Sequence, residues 1–240
     1  MQQNRILSAL VQRHPECRER LRRRDYVHGD MIGKSGDPIV DVLFPSSGLI
    51  SIVVNLTGGD LVEAAMVGCD GAVGGGAIFG AASYIGSSFA QLPGSGWTIR
   101  AADLASILEQ DEELRATLFA YEQFLLAQAQ QTAACNARHH IPQRLSSWLL
   151  RARDATRENE LLLTQEFLAQ MLGVQRASVS MFAGQLQDKD LIRYRRGRVN
   201  VMNCDGLANE ACECHAVLGD LRRRLLEGEE GGEGGLRTAV

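Results

Sequence analysis

The sequence predicts an α+β chain in three parts: a β-rich N-terminal half, one long helix and a C-terminal winged helix-turn-helix. Three observations carry this reading. From Tyr26 to Arg100, short runs rich in β-branched residues alternate with turn signals, the pattern of an all-β sandwich or barrel. A heptad-spaced helical stretch then runs to about Arg138. Two short amphipathic helices joined at Gly173, followed by a basic hairpin, complete the pattern.

Composition narrows the classes. An apolar fraction of 45% over 240 residues is ample for one large or two small cores. No apolar run approaches the roughly 20 residues that span a bilayer. The first 24 residues are full of Arg, Glu and Gln and lack a secretory hydrophobic stretch. A soluble cytoplasmic protein without a membrane partner is expected. Six cysteines (Cys17, Cys69, Cys135, Cys204, Cys212, Cys214) show no disulfide framework and read as reduced thiols.

From Asn4 to about Arg24, Ile6, Leu7, Leu10, Val11 and Leu21 fall at helical intervals, which suggests one or two short helices interrupted at Pro15. Interleaved Glu16 and Glu19 make the many arginines here a solvated face rather than a nucleic-acid patch. Strand-like runs follow at Ile39–Phe44, Leu49–Leu56, Leu61–Val67 and Trp97–Arg100. Thr57-Gly-Gly-Asp60 between two of them reads as a hairpin turn.

Asp103 is the expected N-cap of a helical region lasting to about Arg138. Within it Leu114, Leu118, Tyr121, Leu125, Gln128, Thr132 and Cys135 step by four and three alternately, a seam for a coiled-coil partner. A helix packed on its own domain is the other reading of the same spacing. Ile141–Asp154 forms a further helix, with Pro142 in its first turn and Leu145, Trp148, Leu149 and Ala152 as its buried stripe. Thr156 to Leu161 is expected to be a loop.

Thr164 then caps a helix whose Phe167, Leu168, Met171 and Leu172 share one face, and Gly173 ends it. A second helix buries Val179, Phe182 and Leu186 and leaves Gln175, Arg176, Ser178 and Ser180 outward. A second helix that offers N-terminal polar residues is how a helix-turn-helix meets a major groove. Leu191–Met202 reads as a hairpin turning near Gly197, with Arg193, Arg195, Arg196 and Arg198 at its tip. Between Arg138 and Arg198, eleven basic residues face six acidic ones, a local surplus of five on a chain of net charge −4. That local charge is the footprint of a nucleic-acid surface. Gly206 to Leu226 has helical character, and the Gly- and Glu-rich stretch after it is expected to be disordered.

This order of parts resembles the cyclic-AMP receptor protein/fumarate-nitrate reduction regulator (Crp/Fnr) family of transcription factors over about residues 5–215. The most specific match is Leu163–Met181 together with Leu191–Arg198. Phe44–Ser51, Gln131–Asn136 and Ala211–His215 support it. The resemblance implies a cyclic-nucleotide-binding-like jelly roll over residues 1–112, a dimerisation helix over 113–138, a winged helix-turn-helix over 139–215 and a helical or disordered tail over 216–240. It implies double-stranded DNA and a second copy of the chain as partners, and RNA polymerase too if the protein activates.

Carried over by position, Arg176 matches the family's guanine-reading arginine and Ser178 a phosphate-contacting hydroxyl. Ala177 and Met181 stand where the best-known member has two further base readers, so the operator should differ. Thr164, Gln165, Gln175, Ser180, Arg195, Arg196 and Arg198 complete the expected DNA-contacting set. The family's nucleotide-binding Glu and Arg are absent from Gly71–Phe89, where Ser87 and Ser88 stand in place of the Arg-Ser/Thr pair. A buried phosphate without a cation loses the charge-assisted bonds that offset its desolvation. Cyclic AMP is therefore expected to bind weakly or not at all. Gly74, Gly75, Phe79, Ser87 and Ser88 either line a pocket for another, unidentified effector or pack as barrel core.

Catalysis has no motif to support it: there is no phosphate loop before a helix, no HExxH, no GxSxG and no CxxC. His139 and His140 are adjacent, so their rings cannot share a helix face. Cys212-Glu-Cys214-His215 is a compact soft-ligand group without a complete tetrahedral set. These residues are expected to be ordinary helix cysteines, ahead of redox sensing and metal binding, and Cys135 a small packing residue on the helix seam. No enzyme activity, metal or cofactor is expected. A ligand-binding module without DNA function is the alternative.

Overall fold

The computed structural model describes residues 4–227. The glycine-rich stretch expected to be disordered lies outside them, from residue 228 on. Helix α1 (Arg5–Arg13) buries the expected stripe of Ile6, Leu7, Leu10 and Val11. Its cap ties it to the barrel. Asn4 Oδ1 accepts from Leu7 N at 3.0 Å, while its Nδ2 donates to the carbonyls of Pro45 and Gly71 at 2.9 and 2.7 Å. A short 3-10 turn follows at Pro15–Glu19.

Seven strands make the sandwich. Strands β1 (Arg22–Tyr26), β7 (Gly94–Arg100) and β3 (Asp41–Pro45) form one sheet in that order. The other runs β2 (Met31–Gly33), β6 (Ser87–Leu92), β4 (Leu49–Asn55), β5 (Leu61–Val67). β4 and β5 are the expected hairpin around Thr57–Asp60, closed by Leu56 N donating to Asp60 O at 2.9 Å. Arg22–Arg24 lie in β1, not in the helix expected there.

The four-stranded sheet is buried on both faces. Ile50, Val67 and Ala90 point into the barrel core. Their neighbours Leu49, Met66 and Phe89 point the other way, into a core shared with the C-terminal domain. The period-two alternation of a strand therefore serves two cores at once, which is why β4 reads as a near-continuous apolar run.

The helical region after the barrel is two helices, α2 (Ala101–Leu108) and α3 (Glu112–Arg138). Asp103 sits in the first turn of α2, and the capping residue is Asp111 on α3. Its Oδ1 accepts from Leu114 N at 3.0 Å, and Arg13 Nε donates to its Oδ2 at 2.6 Å. The Arg13 guanidinium and then that backbone N–H hold the Asp111 carboxyl well below the usual carboxylate range.

The seam expected to meet a partner faces the chain's own interior. Leu114, Leu118, Tyr121, Gln128 and Cys135 are buried, and Leu125 and Thr132 are half-buried. Tyr121 fills the space above Gly71, and Gln128 bonds both backbone atoms of Met66. The barrel takes the more apolar of the helix's two heptad stripes. The stripe left outside contains Phe119 (49% exposed) and Leu126 (52%), with Gln123, Gln130, Ala133 and Ala137 exposed between and beyond them.

The C-terminal domain comprises α4 (Ile141–Thr156), β8 (Glu160–Leu161), α5 (Gln165–Leu172), α6 (Arg176–Asp188), β9 (Ile192–Arg195), β10 (Arg198–Val201), α7 (Cys204–Glu210) and α8 (Cys214–Arg222). The expected loop at 156–161 ends in β8, which pairs with β10. The barrel meets this domain closely. Gly68 lies where any Cβ would strike the carbonyl of Ala155 on α4. No described helix is long and apolar enough to cross a membrane.

Candidate nucleic-acid interface

Local chemistry builds the helix pair. Thr164 Oγ1 accepts from Phe167 N at 3.2 Å and starts α5. Gly173 ends it at φ 62°, a left-handed conformation that costs glycine little. Leu168, Met171 and Leu172 turn inward, as do Val179, Ala183 and Leu186 of α6. What remains outside on α6 is the expected reading face. Gln175, Arg176, Ala177, Ser180 and Met181 are exposed, and Ser178 is half-buried.

The wing turns at Arg196 and Gly197, both at positive φ (50° and 74°), as a two-residue hairpin of the twisted type requires. Arg195 and Arg198 stand directly opposite each other across β9 and β10. Like charges in that register repel. Arg198 finds a partner in Glu160 at 2.6 Å.

Thr164, Gln165, Glu166, Arg176, Tyr194, Arg196 and Gly197 line one open cleft between α5, α6 and the wing. Arg176 Nε reaches Glu166 at only 4.0 Å, with both side chains largely in solvent. An exposed ion pair of this kind is worth little and leaves the guanidinium free to exchange partners. Tyr194 was not anticipated from the sequence. Its hydroxyl donates to Leu163 O at 2.9 Å and its backbone N–H to Gln187 Oε1 at 2.8 Å, which ties the wing to α6 and to the segment that leads into α5.

The opposite side of this domain is packed on the barrel. Phe167 meets His28 edge-on at 4.3 Å and Phe89 at 5.9 Å. Trp148 Nε1 donates to Glu63 Oε1 at 2.8 Å, and Ser51 donates to Glu63 Oε2 at 2.5 Å. Burial pushes the Glu63 carboxyl up, against the pull of the nearby Arg151 charge.

The residues expected to form an effector pocket do not act as one group. Ser87 Oγ accepts from Ser35 N and Asn55 Nδ2, and Ser88 Oγ donates to Gly33 O. Gly75 packs against Glu122 and Leu118 of α3, while Phe79 lies edge-on to Phe119. The Tyr84 ring lies over Gly33, with its hydroxyl close to Gly74. A cavity of about 80 Å³ opens elsewhere, between β5, α3, α4 and α8, where Tyr121, Gln128, Arg151 and His215 meet.

The soft-ligand group is larger than its sequence suggested. The ligand atoms of Cys135, His139, Cys212 and Cys214 all lie within 4.8 Å of one another, so a four-donor set does exist. His215, next to the two cysteines in sequence, is not part of it and bonds Asp154 at 2.9 Å. Cys135 packs against this group rather than on an outer seam.

Residues 143–210 match the family described as the Crp-like helix-turn-helix domain. A comparison with curated proteins gave no match. Among solved structures, FixK2 from Bradyrhizobium japonicum aligns over 80% of this chain and 98% of its own, at 17% identity and a TM-score of 0.69. A putative transcriptional regulator of the crp/fnr family from Eubacterium rectale aligns over 87% and 98%, at 15% and 0.66. CLP, a c-di-GMP responsive global regulator from Xanthomonas campestris, aligns over 81% and 98%, at 16% and 0.61. The motifs of α5, α6 and the wing agree with these matches: residues 143–210 form a Crp-like helix-turn-helix domain, and the chain shares the fold of solved Crp/Fnr-family regulators.

Proposed function

We propose that the protein is a homodimeric, sequence-specific DNA-binding transcription regulator. One observation carries the reading: Thr164, Gln165, Arg176 and Arg196, from three separate elements, share a single open cleft beside the exposed face of α6. A duplex laid across it receives α6 in its major groove and the wing on its backbone. Arg176 is then the base reader, suited to the acceptor pair of a guanine. Ser178, Arg195, Arg196 and Arg198 hold phosphates, which positions the protein without specifying sequence. Gln175, Ala177, Ser180 and Met181 face the remaining base edges.

In this reading residues 1–112 form the sensor part, 113–138 the pairing helix and 139–215 the DNA-binding part. Two chains pair through the outer stripe of α3, where Phe119 and Leu126 are apolar anchors in an otherwise small or uncharged row. Paired recognition helices then meet half-sites one helical turn apart.

In this reading cyclic AMP binds weakly or not at all. Ser87 and Ser88 are spent on partners within the chain, and no Glu or Arg stands in Gly71–Phe89 to take a ribose and a cyclic phosphate. Any other effector, and contact with RNA polymerase if the protein activates, would act through the same domain arrangement. The test is recovery and sequencing of genomic DNA fragments retained by the purified protein. A shared inverted-repeat sequence is the expected result. Retention of fragments without any common sequence, or of none at low salt, overturns it.

A further inference from the structure

The cysteine and histidine cluster sits apart from the DNA-reading face and has the makings of a metal centre. Cys135 comes from the last turns of α3, and His139 caps the same helix four residues on. Cys212 comes from the short link between α7 and α8, and Cys214 is the first residue of α8. Cys135 Sγ and Cys212 Sγ are 3.5 Å apart, and Cys214 Sγ is 3.4 Å from His139 Nδ1. A single tetrahedral ion with bonds of about 2.3 Å to sulfur and 2.0 Å to nitrogen sets its ligand atoms about 3.5–3.8 Å apart. With no pair beyond 4.8 Å, the four donors need only a small contraction to close around one ion.

We propose that Cys135, His139, Cys212 and Cys214 bind one soft divalent cation of the zinc type in a closed tetrahedral site. The surroundings supply what such a site requires beyond its ligands. His139 turns Nε2 toward Glu213 Oε1 at 3.1 Å, leaving Nδ1 directed at the sulfurs. That is the carboxylate–histidine arrangement that fixes the tautomer of a ligating imidazole. Gln131 Nε2 donates to Cys214 Sγ at 3.0 Å.

Charge also balances. Three thiolates around a divalent ion leave one negative charge. Arg144 and Arg151 share a cavity of about 30 Å³ with Cys135 and Cys214. Arg144 Nε is buried with no hydrogen-bond partner among the described residues, and Arg144 lines the same cavity as two of the sulfurs. Binding releases the thiol protons and forms four bonds to the ion, with no change of oxidation state.

The ion would do structural work. It joins the end of α3 to the segment that follows the wing, so it holds the DNA-binding domain to the long helix. Arg144 extends the link, because its Nη2 donates to the carbonyl of Leu172, the last residue of α5.

The test uses the full chain, reduced, stripped with a chelator and titrated with Co²⁺ and then Zn²⁺. The expected result is one equivalent per chain, with the strong visible bands of tetrahedral cobalt, a thiolate charge-transfer band and displacement by zinc. Cys214→Ser should weaken uptake by more than about tenfold, and the Cys204→Ser control should not change it. Glu213 is exposed, so Glu213→Gln leaves folding intact and should still cost about 10–100-fold in affinity. The proposal is overturned by a weak octahedral cobalt spectrum, by uptake that survives Cys214→Ser or Glu213→Gln unchanged, or by a Cys135–Cys212 disulfide in protein isolated without oxidant. None of these readouts involves DNA, so the result is independent of the function proposed above.

Discussion

The winged helix domain has two faces built by opposite means. Its inner face is apolar and fixed: Phe167 meets His28 and Phe89, and Trp148 donates to the buried Glu63. Its outer face is polar and loosely held, with Arg176 in solvent and paired to Glu166 only at 4.0 Å. Burial decides the difference. The inner face contributes stability through area removed from water, and the outer face keeps its donors available for a ligand. The barrel leaves Gln175, Arg176, Ala177, Ser180 and Met181 exposed.

The comparison can be broken most forcefully at the pairing helix. Phe119→Arg with Leu126→Arg is expected to give a monomer by ultracentrifugation and to lower affinity for a two-half-site duplex by about 10²–10⁴-fold, as the second half-site contact is lost. An unchanged dimer would move the interface elsewhere. Next comes the inner face. Trp148→Phe removes a donor from a buried carboxylate and should cost about 1–3 kcal/mol in denaturant unfolding. It should leave base preference as it was; altered preference would mean that the two faces are not separable.

On the outer face, Arg176→Ala is expected to cost roughly 1–3 kcal/mol on the preferred site and to relax preference at one base per half-site. Arg195→Ala should instead weaken all duplexes alike and lower the salt slope by about one. Competition binding with single-base operator variants separates the two.

The smallest effect concerns Glu122 on α3. Burial raises its carboxyl to about 7. The folded state then holds the proton more tightly than the unfolded state. Its stability is full below the usual carboxylate range and falls as pH rises from there to about 7. Glu122→Gln should match the wild type near pH 4.5 and exceed it by about 1 kcal/mol above pH 7, allowing for partial exposure. A gain that is equal at both pH values would assign the effect to packing.

The sequence revealed what depends on neighbours in the chain. The Thr164 cap, the Gly173 stop and the inward stripes of α5 and α6 are spacings of three and four residues, and the structure has them. Strands β1 and β6 were missed for reasons of partner and polarity. β1 is an arginine-rich strand that pairs with β7 some seventy residues away. β6 carries two serines and a glutamine although all six of its residues are buried. Both stripes of α3 obey the same heptad, so spacing alone could not say which the barrel would take. The four-donor group joins Cys135 in the last turns of α3 and His139, its C-cap, to two cysteines more than seventy residues later. Tertiary structure alone unites them.

The central claim is that α6 and the wing bind a duplex and read its sequence. Fluorescence anisotropy of a recovered operator against a scrambled duplex of equal length, across a salt series, tests it most directly. Affinity should fall steeply and linearly on a log–log plot for both duplexes, with the operator bound at least about 10³-fold more tightly at physiological salt. Equal affinity for the two, or binding indifferent to salt, would contradict the account.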